Sequence, residues 1–95
     1  MIKVLNGKFF YRLDTERKPD YFVDLMAFLI ARNVNEKELN KLRQLDINSI
    51  LQNGLKINAN LFNLNVKIKD ESITLLFETN LDSLEFDNLI EGYFQ

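Results

Sequence analysis

The chain has no cysteine, no histidine and no tryptophan, and only one proline and three glycines in 95 residues. Without cysteine there are no disulfides, no thiolate nucleophiles and no zinc-finger or iron–sulfur ligand sets. Without histidine the commonest general base and metal ligand is gone, and no serine has an imidazole to activate it. No glycine-rich phosphate loop is present. The carboxylate pairs Asp14-Glu16 and Asp70-Glu71 stand in segments that read as exposed turns, with no further oxygen ligands beside them. These absences predict a non-catalytic protein with no metal and no cofactor. The residues Met1 to Gly7 hold no apolar segment followed by a small-residue cleavage site, so a cytoplasmic location is expected.

What is present is a core. Hydrophobic residues make up 46% of the chain and charged residues 27%, a balance far too apolar for a disordered chain. The length supports a single domain over residues 1–95. With so few breakers and no low-complexity stretch or internal repeat, most of it should be regular structure.

Asn6-Gly7, flanked by apolar alternation, marks a two-residue hairpin, because both central positions need positive φ. Strands are expected at 2–5 and 8–13, pairing Leu5 with Lys8 and Ile2 with Tyr11. Residues 14–19 read as a charged loop. In the helix expected over 20–32, Phe22, Leu25, Met26 and Leu29 form one apolar stripe and Val23, Ala27 and Ile30 a second. Its thirteen residues span about 20 Å, too short for a bilayer, and Asp24 lies in its middle, where it needs a base or water nearby. A further helix is expected at 35–45, capped by Asn33 or Asn35, with a short extension at 47–53 capped by Asp46 and stopped by Asn53-Gly54. From Leu55 the alternation places Leu55, Ile57, Ala59 and Leu61 inward, then changes phase at Phe62-Asn63. Residues 55–69 are therefore one bulged strand or two strands with a tight turn. The strand 73–79 is apolar on both faces and reads as central, and Asp82 with Glu85 opens a helix over 82–94 through a capping box. The expected fold is α+β: an antiparallel sheet with the helices packed mainly on one face.

Charge is segregated. All 12 Lys and Arg lie before residue 70, whereas residues 70–95 carry seven acids and no base. Two binding readings follow. In the first, the chain is a small protein-interaction module, an adaptor or inhibitor of the accessory, immunity or phage type. Its surface would comprise Tyr21 and Phe28, seven apart on the helix 20–32, with Asp87, Glu91 and Phe94 of the acidic carboxy-terminal segment. A homodimer through the same aromatic stripe is compatible with this reading. In the second, the solvent face of the sheet binds nucleic acid. Lys3, Lys8 and Arg12 share the outward face of the first hairpin with Phe10, and Lys56, Lys67 and Lys69 share the later strands with Asn58, Asn60 and Asn65. Ammonium groups would meet phosphates there while a base stacks on Phe10.

Two short resemblances complete the sequence. Residues 35–54 resemble a helix-turn-helix unit, with Leu39, Leu42, Leu45 and Ile50 where that motif places its inter-helix contacts. Gln44 stands where the motif commonly has glycine, and the second helix has no Lys or Arg, so phosphate anchoring would fall to Lys37, Lys41 and Arg43. Asp82-Ser83-Leu84 resembles the attachment site of acyl carrier proteins, but the residues after Ser83 are too few for the rest of that fold. Ser83 is therefore expected to be a first-turn helix residue.

Overall fold

The alternating residues on either side of Asn6-Gly7 pair in the expected register. Strand β1 (Ile2–Leu5) runs antiparallel to β2 (Lys8–Glu16), with Leu5 opposite Lys8, Val4 opposite Phe9, Lys3 opposite Phe10 and Ile2 opposite Tyr11. The computed structural model describes residues 2–5, 8–16, 21–44, 46–91 and 93–94, with residues 2–5 and 47 described by their backbone. The Asn6-Gly7 turn, residues 17–20 of the expected loop and helix start, and Leu45 lie outside the described residues.

β2 runs three residues beyond the expected Leu13. Asp14, Thr15 and Glu16 find partners at Thr74, Ile73 and Ser72 of a strand nearly sixty residues away, a pairing that local sequence does not reveal. That strand, β5 (Ser72–Thr79), is the middle of a five-stranded antiparallel sheet of order β1-β2-β5-β4-β3. It is central as its two apolar faces predict. The phase change after Leu61 resolves as two strands, β3 (Leu55–Asn58) and β4 (Asn63–Lys69), joined by a tight turn in which the Ala59 N–H donates to the Phe62 carbonyl at 2.9 Å. Leu61 and Asn60 sit in that turn, exposed, not on the inward or outward face of a strand.

Helix α1 (Tyr21–Ala31) ends where Asn33 takes φ 58°. The Val34 N–H then donates to the Leu29 carbonyl and the Asn33 N–H to that of Ile30, each at 3.0 Å, which satisfies the last turn. Asn35, not Asn33, caps α2 (Glu36–Arg43), and Asp46 caps α3 (Ile47–Asn53) by accepting from the Asn48 and Ser49 N–H groups. Gly54 closes α3 at φ 73°, a conformation that a side chain would strain. Helix α4 (Ser83–Ile90) begins with the expected Asp82/Glu85 capping box. It stops at Ile90, not at 94: Glu91 leaves the helix at ψ 126°, and the Tyr93 and Phe94 rings fold back to lie 5.3 and 5.2 Å from that of Phe28.

The helices share one core with one face of the sheet. Phe77 of β5 meets Phe28, Phe62 and Phe86 edge to face, and Tyr11 of β2 stacks on Phe86 at 4.0 Å. The Tyr11 hydroxyl donates to the Leu81 carbonyl at 2.8 Å, and Arg32 reaches across from the end of α1 to donate to the Leu89 carbonyl of α4 at 2.8 Å.

Tyr21 and Phe28 belong to this core, at 5% and 0% exposure, which corrects their expected place on an interaction surface. The core-facing stripe of α1 is Tyr21, Leu25, Phe28 and Leu29, whereas Val23, Asp24, Ala27 and Ile30 face outward. Phe94 is half-buried against Phe28 and Tyr21, serving the same cluster.

Burial drives the Tyr21 phenol up to about 12, opposed by the neighbouring Thr15 hydroxyl, although neither hydroxyl meets hydrogen-bond geometry with any described group. Because the folded value lies above that of an unfolded tyrosine, this group's contribution to stability is complete below about pH 10 and is lost as pH rises toward 12. Tyr21→Phe removes an unsatisfied buried hydroxyl and should raise stability by about 1 kcal/mol. It should also flatten the fall in melting temperature across the alkaline range, measured by thermal unfolding monitored by circular dichroism.

Candidate functional site

Strand alternation that sends Tyr11, Ile73, Leu75 and Phe77 into the core sends their neighbours to the opposite face, which none of the described helices packs against. The register aligns these outward residues in rows across the sheet. One row runs Phe10, Glu78, Asn63, Asn58, and the next Arg12, Leu76, Asn65, Lys56. Asp14, Thr74 and Lys67 form a third row, and Glu16, Ser72 and Lys69 a fourth.

Along the first two rows, Arg12 excepted, lies an open groove of about 400 Å³, which Leu64 and Phe77 also line. Phe10 and Leu76 supply its apolar part, and Asn58, Asn63, Asn65, Lys56 and Glu78 its polar groups. This volume lies within the range of small-ligand pockets, with apolar and polar groups converging as such sites require. Phe10 is half-buried there, held between strands and still reachable from the solvent side.

Cations on this face outnumber carboxylates. Lys8, Arg12, Lys56, Lys67 and Lys69 stand against Asp14, Glu16 and Glu78. Arg12 is held by Asp14 at 3.0 Å in an exposed pair. Asp14 in turn accepts from the Thr74 hydroxyl at 2.7 Å. That bond, with the one from Arg12, holds its carboxyl below the usual carboxylate range. Among the described residues no salt bridge engages the four lysines. Lys56, Lys67 and Lys69 lie on β3 and β4 and Lys8 and Arg12 on β2, whereas Asp14 and Glu16 stand at the far end of β2 and Glu78 beside Phe10. The expected alternative site residues Lys8, Phe10, Arg12, Lys56, Lys67 and Lys69 thus share one face, and Lys3 lies opposite Phe10 in the register. Sequence reasoning missed Leu76, Asn63 and Glu78 as members of the groove, because only the β2–β5–β4 register brings them beside Phe10.

The residues proposed for protein binding do not form one patch. Tyr21 and Phe28 are internal, whereas Asp87 is exposed on α4 together with Leu84, at 69% exposure, and Glu91 is exposed just past the end of that helix. No described cation pairs with the α4 carboxylates. In the helix-turn-helix-like segment, α2 and α3 form where expected and bury Leu39, Leu42 and Ile50. Of its three bases, however, Arg43 is bound to Glu36 and Lys41 to Glu38. Ser83 is a first-turn residue of α4, as its position in the sequence implied.

Among the described residues no group of three metal-ligating side chains lies together, and no helix is long and apolar enough to cross a membrane. Comparison of the chain with protein-family models, with curated proteins and with solved structures finds no match.

Phe10 and Phe28 separate surface from core in a way that stability can read. Phe28→Ala empties a site closed on every side and should cost about 3–5 kcal/mol. Phe10→Ala, on the open face, should cost about 1 kcal/mol or less. Urea unfolding of the two variants measures both; equal losses would mean that Phe10 is as much a core residue as Phe28.

Proposed function

We propose that the chain is a small non-catalytic binding module whose working surface is the open face of the sheet, and that its ligand is single-stranded nucleic acid. The observation that carries this reading is the groove where Phe10 and Leu76 meet Lys56 and three asparagines, with Lys67 and Lys69 following along β4. A base stacks on an aromatic ring regardless of its identity, contributing about 1–3 kcal/mol. Asparagine amides offer both donors and acceptors to base edges. The lysines along β3 and β4 are spaced for a backbone running beside the apolar strip, with bases turned toward β2. A duplex hides its base faces and cannot use Phe10, so the geometry favours unpaired strands.

If Lys56, Lys67 and Lys69 neutralise phosphates, the logarithm of affinity for a short oligonucleotide should fall with the logarithm of salt at a slope of about −2. That amounts to a loss of about fifteenfold between about 50 and about 200 mM salt. Phe10→Ala should weaken binding at least fivefold at every salt concentration. Lys56→Glu with Lys67→Glu should weaken it and flatten the slope. Fluorescence anisotropy with labelled single strands measures all three. Binding that ignores both salt and Phe10, or no binding at low salt, would end this reading.

A second reading, a protein-interaction module working through helical surfaces, is favoured by a different observation. The outer stripe of α1, with Val23 at 68% exposure beside Ala27 and Ile30, has no covering element among the described residues, and α4 presents Leu84 with Asp87 and Glu91. Such a module would lose its partner on Val23→Asp or on Asp87→Lys with Glu91→Lys, with no fall in melting temperature. Nuclease-treated capture from source lysate, comparing these variants with the unaltered chain, reads that outcome.

A further inference from the structure

β3 is an edge strand, and an edge strand exposes a row of unpaired backbone donors and acceptors on which another strand can form. In β3 the alternation of backbone groups is legible. Leu55 and Ile57 lie opposite Val66 and Leu64 of β4, and the Ala59 N–H donates to Phe62 on that same side. The groups of Lys56 and Asn58 therefore point the other way, off the edge of the sheet.

Those groups meet α2. The Lys41 ammonium donates to the Lys56 carbonyl at 3.1 Å, and the Asn58 N–H donates to a Glu38 carboxylate oxygen at 3.1 Å. The same Glu38 oxygen lies 2.7 Å from the Lys41 nitrogen. A cation and an anion three residues apart on one helix thus present a donor and an acceptor to the strand, meeting the Lys56 carbonyl and the Asn58 N–H.

We propose that Glu38 and Lys41 form a clasp that closes the β3 edge against strand addition by a second copy of this chain. Two β3 strands brought together antiparallel about a twofold axis at Ile57 place Lys56 of each opposite Asn58 of the other. Their outward N–H and C=O groups would then be exchanged in hydrogen-bonded pairs. The clasp occupies the Lys56 carbonyl and the Asn58 N–H, two of the groups this pairing requires. The pair is partly covered, with the Glu38 side chain at 14% exposure and that of Lys41 at 38%. Its placement on backbone groups, where any two polar residues of α2 facing outward would solvate the helix equally well, is what assigns it this role. The proposal does not rest on nucleic-acid binding.

The test is the double variant Glu38→Ala with Lys41→Ala in the full chain. Alanine keeps the helix propensity of α2, and far-UV circular dichroism verifies that the variant folds. At concentrations where the variant is monomeric, amide exchange of Asn58 should quicken by about tenfold, whereas that of Ile57, which faces β4, should not change. Sedimentation velocity from micromolar to submillimolar concentration should show a monomer for the unaltered chain and concentration-dependent association for the variant. Adding Lys56→Pro, tolerated where an N–H points away from the sheet, should abolish that association. The single variant Lys41→Ala, which leaves Glu38 to hold Asn58, should associate more weakly than the double variant. A folded double variant that remains monomeric throughout overturns the proposal, as does association that persists with Lys56→Pro.

Discussion

Strand β5 is bonded along both edges, to β2 through eight residue pairs and to β4 through seven, and its two faces serve different purposes. Ile73, Leu75, Phe77 and Thr79 are buried beneath the helices, while Thr74, Leu76 and Glu78 look out from the open face. Slipping this strand by one residue would place Glu78 in the core and Phe77 in water, so its register is strongly specified. Everything described on either side depends on that. Phe77 is the ring on which Phe28, Phe62 and Phe86 converge, and Leu76 is the floor against which Phe10 defines a groove.

How far the sequence foretold this arrangement varies with the range of the interactions involved. Local signals were read well: the register of the first hairpin, the Asp46 cap, the Gly54 stop, the Asp82/Glu85 box and the central place of β5 all rest on neighbours a few residues apart. The facing of α1 was not legible. Of its eleven residues only Asp24 is charged, so several apolar stripes fit the helical period equally well, and the choice among them is made by distant partners. Phe62, Phe77, Tyr93 and Phe94 gather around Phe28, and that gathering turns the aromatic side of α1 inward and leaves Val23 and Ile30 outside. The same reason explains the last three residues of β2, which extend only because β5 lies alongside. For the candidate site, the outward positions of Phe10, Arg12 and the lysines followed from alternation alone. The acids interspersed with them did not, since Glu78 joins Phe10 only through long-range pairing.

The opposed charges of the two parts of the chain have a structural expression. The basic residues of β3 and β4 stand on the open face of the sheet, whereas the acids of α4 lie on a helix packed against the other face. Net charge therefore says little about what the molecule attracts, because a phosphate backbone and a basic protein would approach different sides. The sheet is also guarded differently at different places. Its open face is solvated by lysine and asparagine, and its β3 edge is held by α2 through paired charges on the strand backbone.

On the proposed reading, a single-stranded ligand touches the open face around Phe10 and not the helices. Backbone amide shifts, followed by NMR as a short single-stranded oligonucleotide is added at low salt, test it most directly. Binding on the open face would place the largest shifts at Phe10, Lys56, Asn65, Leu76 and Glu78, continuing toward Lys67. Shifts confined to α1 or α4, or none at saturating oligonucleotide, would contradict it.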